Sequence, residues 1–557
     1  MPDEETEDNE DWMSYANAGF GTTDYSLWDE TEQKAELIEE VPWDDSELQL
    51  DTGEEEIPAA PRPAGLKHLV RIGTCDHCLG RVGGKKRFNQ SDLESGKEIR
   101  KSVIETDPTM SDARVKEPLC PFCENLFDEA PLLAQLVHES IGERECSRLQ
   151  LGARFPKDQT EAEDHLRKRF GSAGSAPLKS SLTEEIATQL RAIDSEVKLV
   201  IDKPEILALI DVLTLTVELD IRSQYIYGRY RKLERGIPQT KWPCRACKGR
   251  GCEKCQQTGQ QYPSSVQGLI GDPLLEHFGS QEHAFHGMGR EDIDVRCLGR
   301  GRPFVMEMKK PVKRDFDSDE VVKLINNQAN GSIEVSDIRA SNRSEVVRVK
   351  DTPAEKSYTI CFKIEAINQT ELDELTKVLE VSKNNRDRNR RRKNRHFNRK
   401  PEPVKSEQKP DFPSMKKAEL VAMCEELGIA KTGTKDVLIA RIIEEKYAPL
   451  PLPEKDHVME IMQKLQGCTL AQRTPERVAH RRADKIRRRK VMETKDCSIH
   501  TDDDGTLFAQ FSLRCESGTY VKETIHGDNG RTQPSIASLI KAKCVVEWLD
   551  VADIHAD

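Results

Sequence analysis

The 557-residue sequence contains no apolar run that approaches the roughly 20 residues of a membrane-spanning helix. It also lacks the charged-then-apolar pattern of a secretion signal, because its first residues are acidic. Hydrophobic residues make up 36% of the chain and charged residues 33%, a composition typical of a highly solvated protein. We therefore expect a cytoplasmic protein with no membrane partner. We also expect about two to four domains, because the chain exceeds the size of one core.

Basic residues are almost missing from the N-terminal part of the chain. Residues 1–57 hold 21 Asp or Glu and a single lysine, Lys34, which gives this segment a net charge of −20. Since the whole chain carries −13, the other 500 residues carry +7. A segment with such a high net charge is predicted to stay disordered, and we assign residues 1–66 to a tail and linker. The basic body favours a polyanionic partner, with a solvated helix face as the alternative.

Sixteen cysteines in a sequence without a secretion signal indicate metal or reactive thiols before disulfides. Eight of them form four CxxC pairs, and four thiolates satisfy a tetrahedral zinc ion at about 2.3 Å per bond. We predict two structural zinc sites, since four protein thiolates leave no open position for catalysis. Unrelated thiol turns and redox chemistry are the alternatives. The predicted ligands are Cys75, Cys78, Cys120 and Cys123 in the first site, and Cys244, Cys247, Cys252 and Cys255 in the second, which resembles the zinc knuckles of DnaJ chaperones.

The most informative segment is GREDIDVRCLGRGRPFVMEMKKP, residues 289–311. It places Asp292 and Asp294 among four arginines, with glycines on both sides. A carboxylate that nearby guanidinium groups keep ionised is suited to act as a nucleophile or a base. From the residues alone, a structural network of salt bridges is the alternative.

GREDIDVR resembles the G-R-x-D motif of pseudouridine synthases, in which the aspartate is the catalytic residue. Further segments resemble the archaeal and eukaryotic THUMP-containing tRNA pseudouridine synthase family of the "Pus-ten" type. These are IYGRYRKLERGIPQT at 226–240, the second cysteine cluster, QRTPERVAHRRADKIRRRKV at 472–491 and CESGTYVKETIHGDNGRTQPSIASLI at 515–540. The matches extend from about residue 68 to about residue 550. The chain is thus identified as a member of this family.

The resemblance implies an enzyme that isomerises uridine to pseudouridine in the T loop of tRNA, at standard positions 54 and 55. It implies no organic cofactor, because the reaction needs neither a redox change nor a group donor. Asp292 matches the catalytic aspartate, and Asp294 is the alternative carboxylate. Arg290 matches the arginine that helps to flip the target nucleotide.

Three more residues match positions around the flipped base. Tyr358 fits the tyrosine that stacks on the uracil, Lys522 the cation that pairs with the catalytic aspartate, and Leu539 the apolar wall of the pocket. Bacterial T-loop synthases carry an arginine where this chain has Lys522, so the charge is kept while the bidentate fork is lost. For Tyr358 and Leu539, a place in the hydrophobic core is the alternative.

The predicted fold class is α/β (α+β). It combines a pseudouridine synthase catalytic domain with a mixed sheet, an N-terminal zinc and THUMP-like domain and a small inserted helical module. Residues 130–170 are predicted as helix, while 183–220 carry the alternating apolar pattern of strands. The predicted order is: tail and linker 1–66; zinc and THUMP-like RNA-binding domain 67–240; second zinc knuckle 241–262; catalytic domain 263–381 and 449–557; basic disordered linker 382–411; SAP-like module 412–448.

Three further regions are predicted to contact nucleic acid. Residues 480–490, HRRADKIRRRK, hold eight Lys, Arg or His and should contact phosphates, with a solvated basic helix as the alternative. Ten Lys or Arg lie between Lys383 and Lys400. Residues 413–446 show two apolar helical faces joined by a glycine-containing turn, and they resemble a SAP module, a small nucleic-acid binder. A plain helical hairpin is the alternative for this last region.

The expected partner of a monomeric chain is tRNA, and the SAP-like module would add affinity for tRNA or bind another nucleic acid. The runner-up function is a non-catalytic RNA- or DNA-binding protein built on the two zinc modules and the SAP-like hairpin. A zinc-dependent nucleotide hydrolase is disfavoured, because the sequence shows no His, Asp and Glu constellation that leaves a metal position open.

Overall fold

The computed structural model describes residues 61–83, 90–172, 175–377, 379, 410–479 and 482–556. The predicted acidic tail, most of the predicted basic linker, and His480 with Arg481 lie outside the described residues. No described helix combines the length and the apolar character needed to cross a bilayer. The chain divides into two compact units, which are treated separately here. The first runs to Tyr225 and adds Leu274–Ala284 and Glu307–Asp317, and the second takes Ile226–Pro273, Phe285–Met306 and residues 318–557.

The first unit packs helices against a four-stranded sheet of order β2-β1-β3-β4. β1 is parallel to both of its neighbours, and β4 is antiparallel to β3. The elements are α1 Pro63–Arg71, α2 Asp76–Val82, α3 Asp92–Thr106, α4 Ala113–Lys116, α5 Ala130–Ile141, β1 Arg148–Arg154, α6 Lys157–Arg169, α7 Leu178–Ile193, β2 Lys198–Leu199, β3 Ile206–Asp211 and β4 Thr216–Ile221.

Two predictions of secondary structure in this unit are wrong. The stretch 130–170 is not a continuous helix, because β1 interrupts it with alternating residues whose members Leu149 and Ala153 are buried. The stretch 183–220, predicted to contain strands, begins inside α7, and only its later part holds the strands β2, β3 and β4. The buried residues of α7 recur every four positions, which is the spacing of a helix face and not of a strand: Leu178, Leu182, Ile186 and Leu190.

Helices α2 and α3 approach each other at two glycines. A Cβ on Gly80 would lie 1.8 Å from the carbonyl oxygen of Asp92, and a Cβ on Gly96 would lie 1.8 Å from that of Asp76. Both obstacles are backbone atoms, which no rotamer change can move. The contact therefore fixes α2, which carries Cys78, against α3.

The second unit is built on a mixed sheet of ten strands, as predicted. The strand order is β13-β10-β11-β12-β9-β14-β7-β5-β8, and β6 pairs with β7 beside this path. Its elements, several of which extend past the boundaries of the unit, are β5 Gln224–Lys232, α8 Val266–Phe278, β6 Glu282–Gly287, β7 Arg296–Lys309, α9 Ser318–Ala329, β8 Ile333–Ser341, α10 Arg343–Asp351, β9 Glu355–Glu365, α11 Gln369–Thr376, α12 Lys417–Glu426, α13 Lys435–Ile442, α14 Lys455–Lys464, β10 Thr469–Arg473, β11 Ile486–Thr501, β12 Leu507–Cys515, α15 Val521–His526, β13 Thr532–Gln533, α16 Ile536–Ile540 and β14 Lys543–His555.

Strand register brings distant segments to one end of this sheet. Lys356 at the start of β9 is opposite Cys515 at the end of β12. Asp550 of β14 is opposite both Thr359 of β9 and Arg296 at the start of β7. The loop that precedes β7, the beginning of β9 and the segment that follows β12 therefore meet at this end.

The inserted module forms the two predicted helices, whereas part of the basic segment after β10 forms a strand. Helices α12 and α13 form a small core of their own, in which Phe412 joins four residues of the predicted apolar faces: Leu420, Cys424, Leu438 and Ile442. The basic residues 486–490, by contrast, belong to strand β11. The alternative of a solvated basic helix is therefore wrong for them, because β11 is hydrogen-bonded between β10 and β12.

We predict that Gly96→Ala forces α2 and α3 apart and lowers the free energy of unfolding by about 2–4 kcal/mol. Urea denaturation followed by circular dichroism measures this change. The neighbouring exposed residue supplies the control, since Lys97→Ala should change stability by less than about 0.5 kcal/mol. Equal stability of the two variants would contradict the close approach of the helices.

Candidate active site

Asp292 lies in the loop before β7, and its side chain is 46% exposed. The Nζ atom of Lys522, at the start of α15, is 3.6 Å from Asp292 Oδ2 and 2.8 Å from Asp294 Oδ2. The structure thus brings together the aspartate and the lysine that the sequence paired, although the shorter contact is with Asp294. Burial acts to raise the pKa of Asp294, but the hydrogen bond and the charge of Lys522, with smaller contributions, together outweigh it and the pKa is lowered.

A second cation beside Asp292 was missed by the sequence analysis. Arg477 Nη1 lies 3.5 Å from Asp292 Oδ2, the same oxygen that Lys522 approaches. Its Nε contacts Glu523 Oε1 at 2.7 Å, and the Glu523 side chain is only 1% exposed. The signal was available, because Arg477 lies inside the basic segment 472–491 and Glu523 is adjacent to Lys522.

A buried polar cluster lies under the loop. The side chains of Glu291 and Arg302 are 0% and 1% exposed, and Arg302 Nε is 2.9 Å from Glu291 Oε2. The Tyr230 hydroxyl donates to Glu291 at 2.8 Å and accepts from Gln239 Nε2 at 2.9 Å. Burial opposes the charge of Arg302, but the charge of Glu291, together with smaller contributions from Cys297 and Tyr230, outweighs it and the pKa of Arg302 is raised. The ion pair is therefore charged inside the protein, although Arg302 Nε makes no hydrogen bond of regular geometry.

The same cluster holds the main chain of the loop. Arg302 Nη1 donates to the carbonyl of Met288 at 2.6 Å, and Gln239 Nε2 donates to that of Gly289 at 3.0 Å. Lys232, fully buried, donates to the carbonyls of Asp292 and Ile293, each at 3.1 Å. Burial lowers the pKa of Lys232. The loop backbone before Asp292 and at Asp292 itself is thus held in place by hydrogen bonds from buried side chains.

The other residues predicted from the motif take different positions. Arg290 is exposed, and its guanidinium carbon lies 5.1 Å from the ring centroid of Trp242. Tyr358 lies on β9 between Leu513 of β12 and Val551 of β14, and burial raises its pKa. Leu539 lies on α16 and is 37% exposed.

Both groups of four cysteines are assembled as predicted, each with its ligand atoms within 4.8 Å of one another. A tetrahedral ion with bonds of about 2.3 Å separates its ligands by about 3.8 Å. Sulfur–sulfur distances agree with this value, at 3.6 Å between Cys75 and Cys123 and 3.9 Å between Cys244 and Cys252. Backbone amides also point at the sulfurs, as at Cys247 Sγ, which accepts from the Gly251 amide at 3.2 Å. Each group could hold one metal ion.

Comparison with known proteins matches most of this chain. A family model described as "Pus10, C-terminal" matches residues 225–409 and 444–555, "Pus10 THUMP domain, archaeal" matches 133–211, and "SAP domain" matches 411–445. A protein named tRNA pseudouridine synthase Pus10 from Methanothrix thermoacetophila is 32% identical over 513 residues, which cover 87% of this chain and 93% of that protein. A protein of the same name from Methanopyrus kandleri is 30% identical, over 87% of this chain and 96% of that protein. The chain belongs to the Pus10 family.

Membership in the Pus10 family confirms the resemblance drawn from the motifs, including the SAP module. The SAP match at 411–445 falls between the two parts of the Pus10 C-terminal match. All the residues around Asp292 described above lie within that C-terminal match, as does the second cysteine group. The site is therefore part of the region that defines the family.

We predict that Glu291→Gln leaves Arg302 buried without a counter-charge and lowers the free energy of unfolding by about 3–5 kcal/mol. The pair of Arg231 and Glu334, whose side chains are 42% and 45% exposed, supplies a matched control. Glu334→Gln should cost less than about 1 kcal/mol, because water screens that pair. Chemical denaturation of both variants tests the prediction, which fails if the two losses are equal.

Proposed function

We propose that this protein isomerises uridine to pseudouridine in the T loop of tRNA, at standard positions 54 and 55, with Asp292 as the catalytic residue. Its relatives in the Pus10 family are named tRNA pseudouridine synthases. The observation that carries the proposal is the environment of Asp292. Two cations lie within 3.6 Å of its carboxylate, which is still 46% exposed on a tethered loop.

This environment suits the bond exchange. The reaction breaks the C1′–N1 bond, turns the base and joins C5 to C1′. A carboxylate serves either by attacking C1′ or by removing the 2′ proton, and both routes need it ionised. Arg477 and Lys522 place two positive charges within 3.6 Å of this carboxylate. No organic cofactor has a part in either route.

The target uridine must first leave its stack, which costs a few kcal/mol. We assign Arg290, which is exposed, to the vacated position in the RNA, because a guanidinium can replace the contacts of the flipped base. Tyr358 then stacks on the uracil, and Leu539 closes the apolar side of the pocket. Burial keeps Tyr358 neutral at physiological pH by raising its pKa, as a stacking surface requires.

Positioning of the tRNA is assigned to other parts of the chain. Exposed Arg482, Lys485, Arg488 and Lys490 lie in or beside β11, in the same unit as Asp292, and would contact phosphates. The region that matches the THUMP domain would hold the acceptor end of the tRNA. The SAP module, whose fold is complete in α12 and α13, would add a further contact with nucleic acid.

The two cysteine groups are proposed to bind one structural zinc ion each. The first group is part of the hydrophobic core of its unit, and each of its four cysteine residues is between 0% and 7% exposed. In the second group, the described cluster contains only the cysteines themselves, so few apolar contacts hold it together. Four thiolates saturate a tetrahedral ion, which gives both sites a structural and not a catalytic role.

We predict that Asp292→Asn abolishes pseudouridine formation while the protein still folds and binds tRNA. The measurement is pseudouridine mapping on an unmodified tRNA transcript, together with the dissociation constant of the complex. Asp294→Asn is the matched control and should retain activity within about tenfold, because Asp294 contacts Lys522 and not substrate. Equal activity of Asp292→Asn and wild type would move the chemistry to Asp294. No product from wild type, despite tight binding, would favour the non-catalytic binding protein.

We predict two zinc ions per chain by metal analysis of the purified protein. The double variant Cys252→Ser/Cys255→Ser should hold one, because it removes half of the second tetrahedron. Cys468→Ser, at a partly buried cysteine outside both groups, should keep two. The assignment is wrong if the double variant retains the metal content of wild type.

A further inference from the structure

The inward face of β9 ends in a lysine. Ile360, Phe362 and Ile364 are buried on one face of the strand, and strand parity places the half-buried Tyr358 and Lys356 on the same face. Lys356 therefore points to the same side of the sheet as the core. An amine in such a place costs free energy unless an acceptor pairs with it.

The amine of Lys356 lies beside the loop that carries Asp292. A Cβ placed on Gly289 would be 3.1 Å from Lys356 Nζ and 3.3 Å from Arg302 Nη1. Gly289 has a φ of +75° and is exposed, so no side chain separates the amine from the space above the loop. The amine of Lys356 and the guanidinium of Arg302 thus both lie next to Gly289, three residues before Asp292.

Lys356 has no acceptor of its own in the part of the chain that the structure describes. Its neighbour Arg302 is neutralised by Glu291, whose oxygens also accept from the Tyr230 hydroxyl. Burial, followed by the charge of Arg302, lowers the pKa of Lys356 to about 8. The ionisable groups that face the amine are Arg302 and Cys297 of β7, Glu291 of the loop and Cys515 of β12.

We propose that Lys356 is a catalytic residue that stabilises the negative charge developing on the uracil ring when the C1′–N1 bond breaks. This rests on the proposed function. The electron pair of that bond moves onto the base, where N1, O2 and O4 share the charge. The base then turns, C5 forms the new bond to C1′, and the proton lost from C5 is balanced by one that N1 takes up, so that the product is an isomer of uridine. An ammonium group already held without a partner needs no rearrangement to meet this charge.

The experiment measures single-turnover rates on an unmodified tRNA transcript with enzyme in excess, between about pH 6 and pH 10. Lys356→Met removes the charge with little change in length, and Lys356→Arg keeps a cation that does not titrate in this range. The control is Lys363→Met on the same strand, where the amine is already paired with Glu365 at 3.1 Å. Thermal unfolding and the tRNA dissociation constant are measured for each variant.

Lys356→Met should lower the single-turnover rate by about 10²–10³, the usual loss for one donor to a developing charge. Its tRNA affinity should stay within about twofold of wild type, and Lys363→Met should keep the wild-type rate. Since the amine is charged below its pKa, the wild-type rate should fall as pH rises through about 8. Lys356→Met should lose this fall, and Lys356→Arg should keep its rate to higher pH.

A wild-type rate for Lys356→Met would overturn the inference, as would a loss explained by weaker tRNA binding. If that variant fails to fold, the wild-type and Lys356→Arg profiles decide. If the single-turnover rates of wild type and Lys356→Arg change in parallel above pH 8, the inference is overturned. A fall in rate that occurs in wild type alone supports it. Failure of the proposed function itself is distinct, because wild type would then form no pseudouridine at any pH.

Discussion

The geometry of the site depends on one buried ion pair, between Arg302 of β7 and Glu291 of the loop before it. Neither side chain is more than 1% exposed, so the pair persists only because each partner compensates the desolvation of the other. Its remaining bonding capacity goes to the Tyr230 hydroxyl and to loop carbonyls. Together with Lys232, which holds the carbonyl of Asp292, it makes the loop a rigid support. The position of the Asp292 main chain follows from this cluster and not from any contact of its carboxylate.

Above this support, opposite charges alternate from Glu523 through Arg477, Asp292 and Lys522 to Asp294. The outer contacts are short, 2.7 Å between Glu523 and Arg477 and 2.8 Å between Lys522 and Asp294. The two inner contacts to Asp292 are longer, at 3.5 and 3.6 Å. Each cation is thus bound more closely by its outer carboxylate than by Asp292. Asp292 receives the field of two cations while its oxygens stay open to another ligand, which suits a carboxylate that must react.

The sequence predicted the parts of this arrangement that repeat a motif, and it missed those that depend on packing. Asp292 and Lys522 could be paired, although they lie 230 positions apart, because both belong to recognisable segments. Three carboxylates stand within four residues of the loop, however, and nothing in their order shows that Glu291 turns inward. That choice is made by Tyr230 and Arg302, which lie on two different strands. The strand at 148–154 was missed for a similar reason, since its alternation is short and lies between two helices.

The second cysteine group is connected to Arg290 of the site by short-range contacts and not by a large hydrophobic core. Cys244 lies two residues after Trp242. An antiparallel β-bridge between Pro243 and Gln260 joins the two ends of the segment that carries the four cysteines. Trp242 in turn supports the guanidinium of Arg290 at 5.1 Å. A cation–π contact of this exposed kind contributes about 0.5–1 kcal/mol. Exposing a stacked base costs a few kcal/mol, so leaving Trp242 adds little to the work of flipping. The contact is therefore strong enough to orient Arg290 in the free protein, and it is weak enough to be exchanged for RNA in the role proposed for this residue.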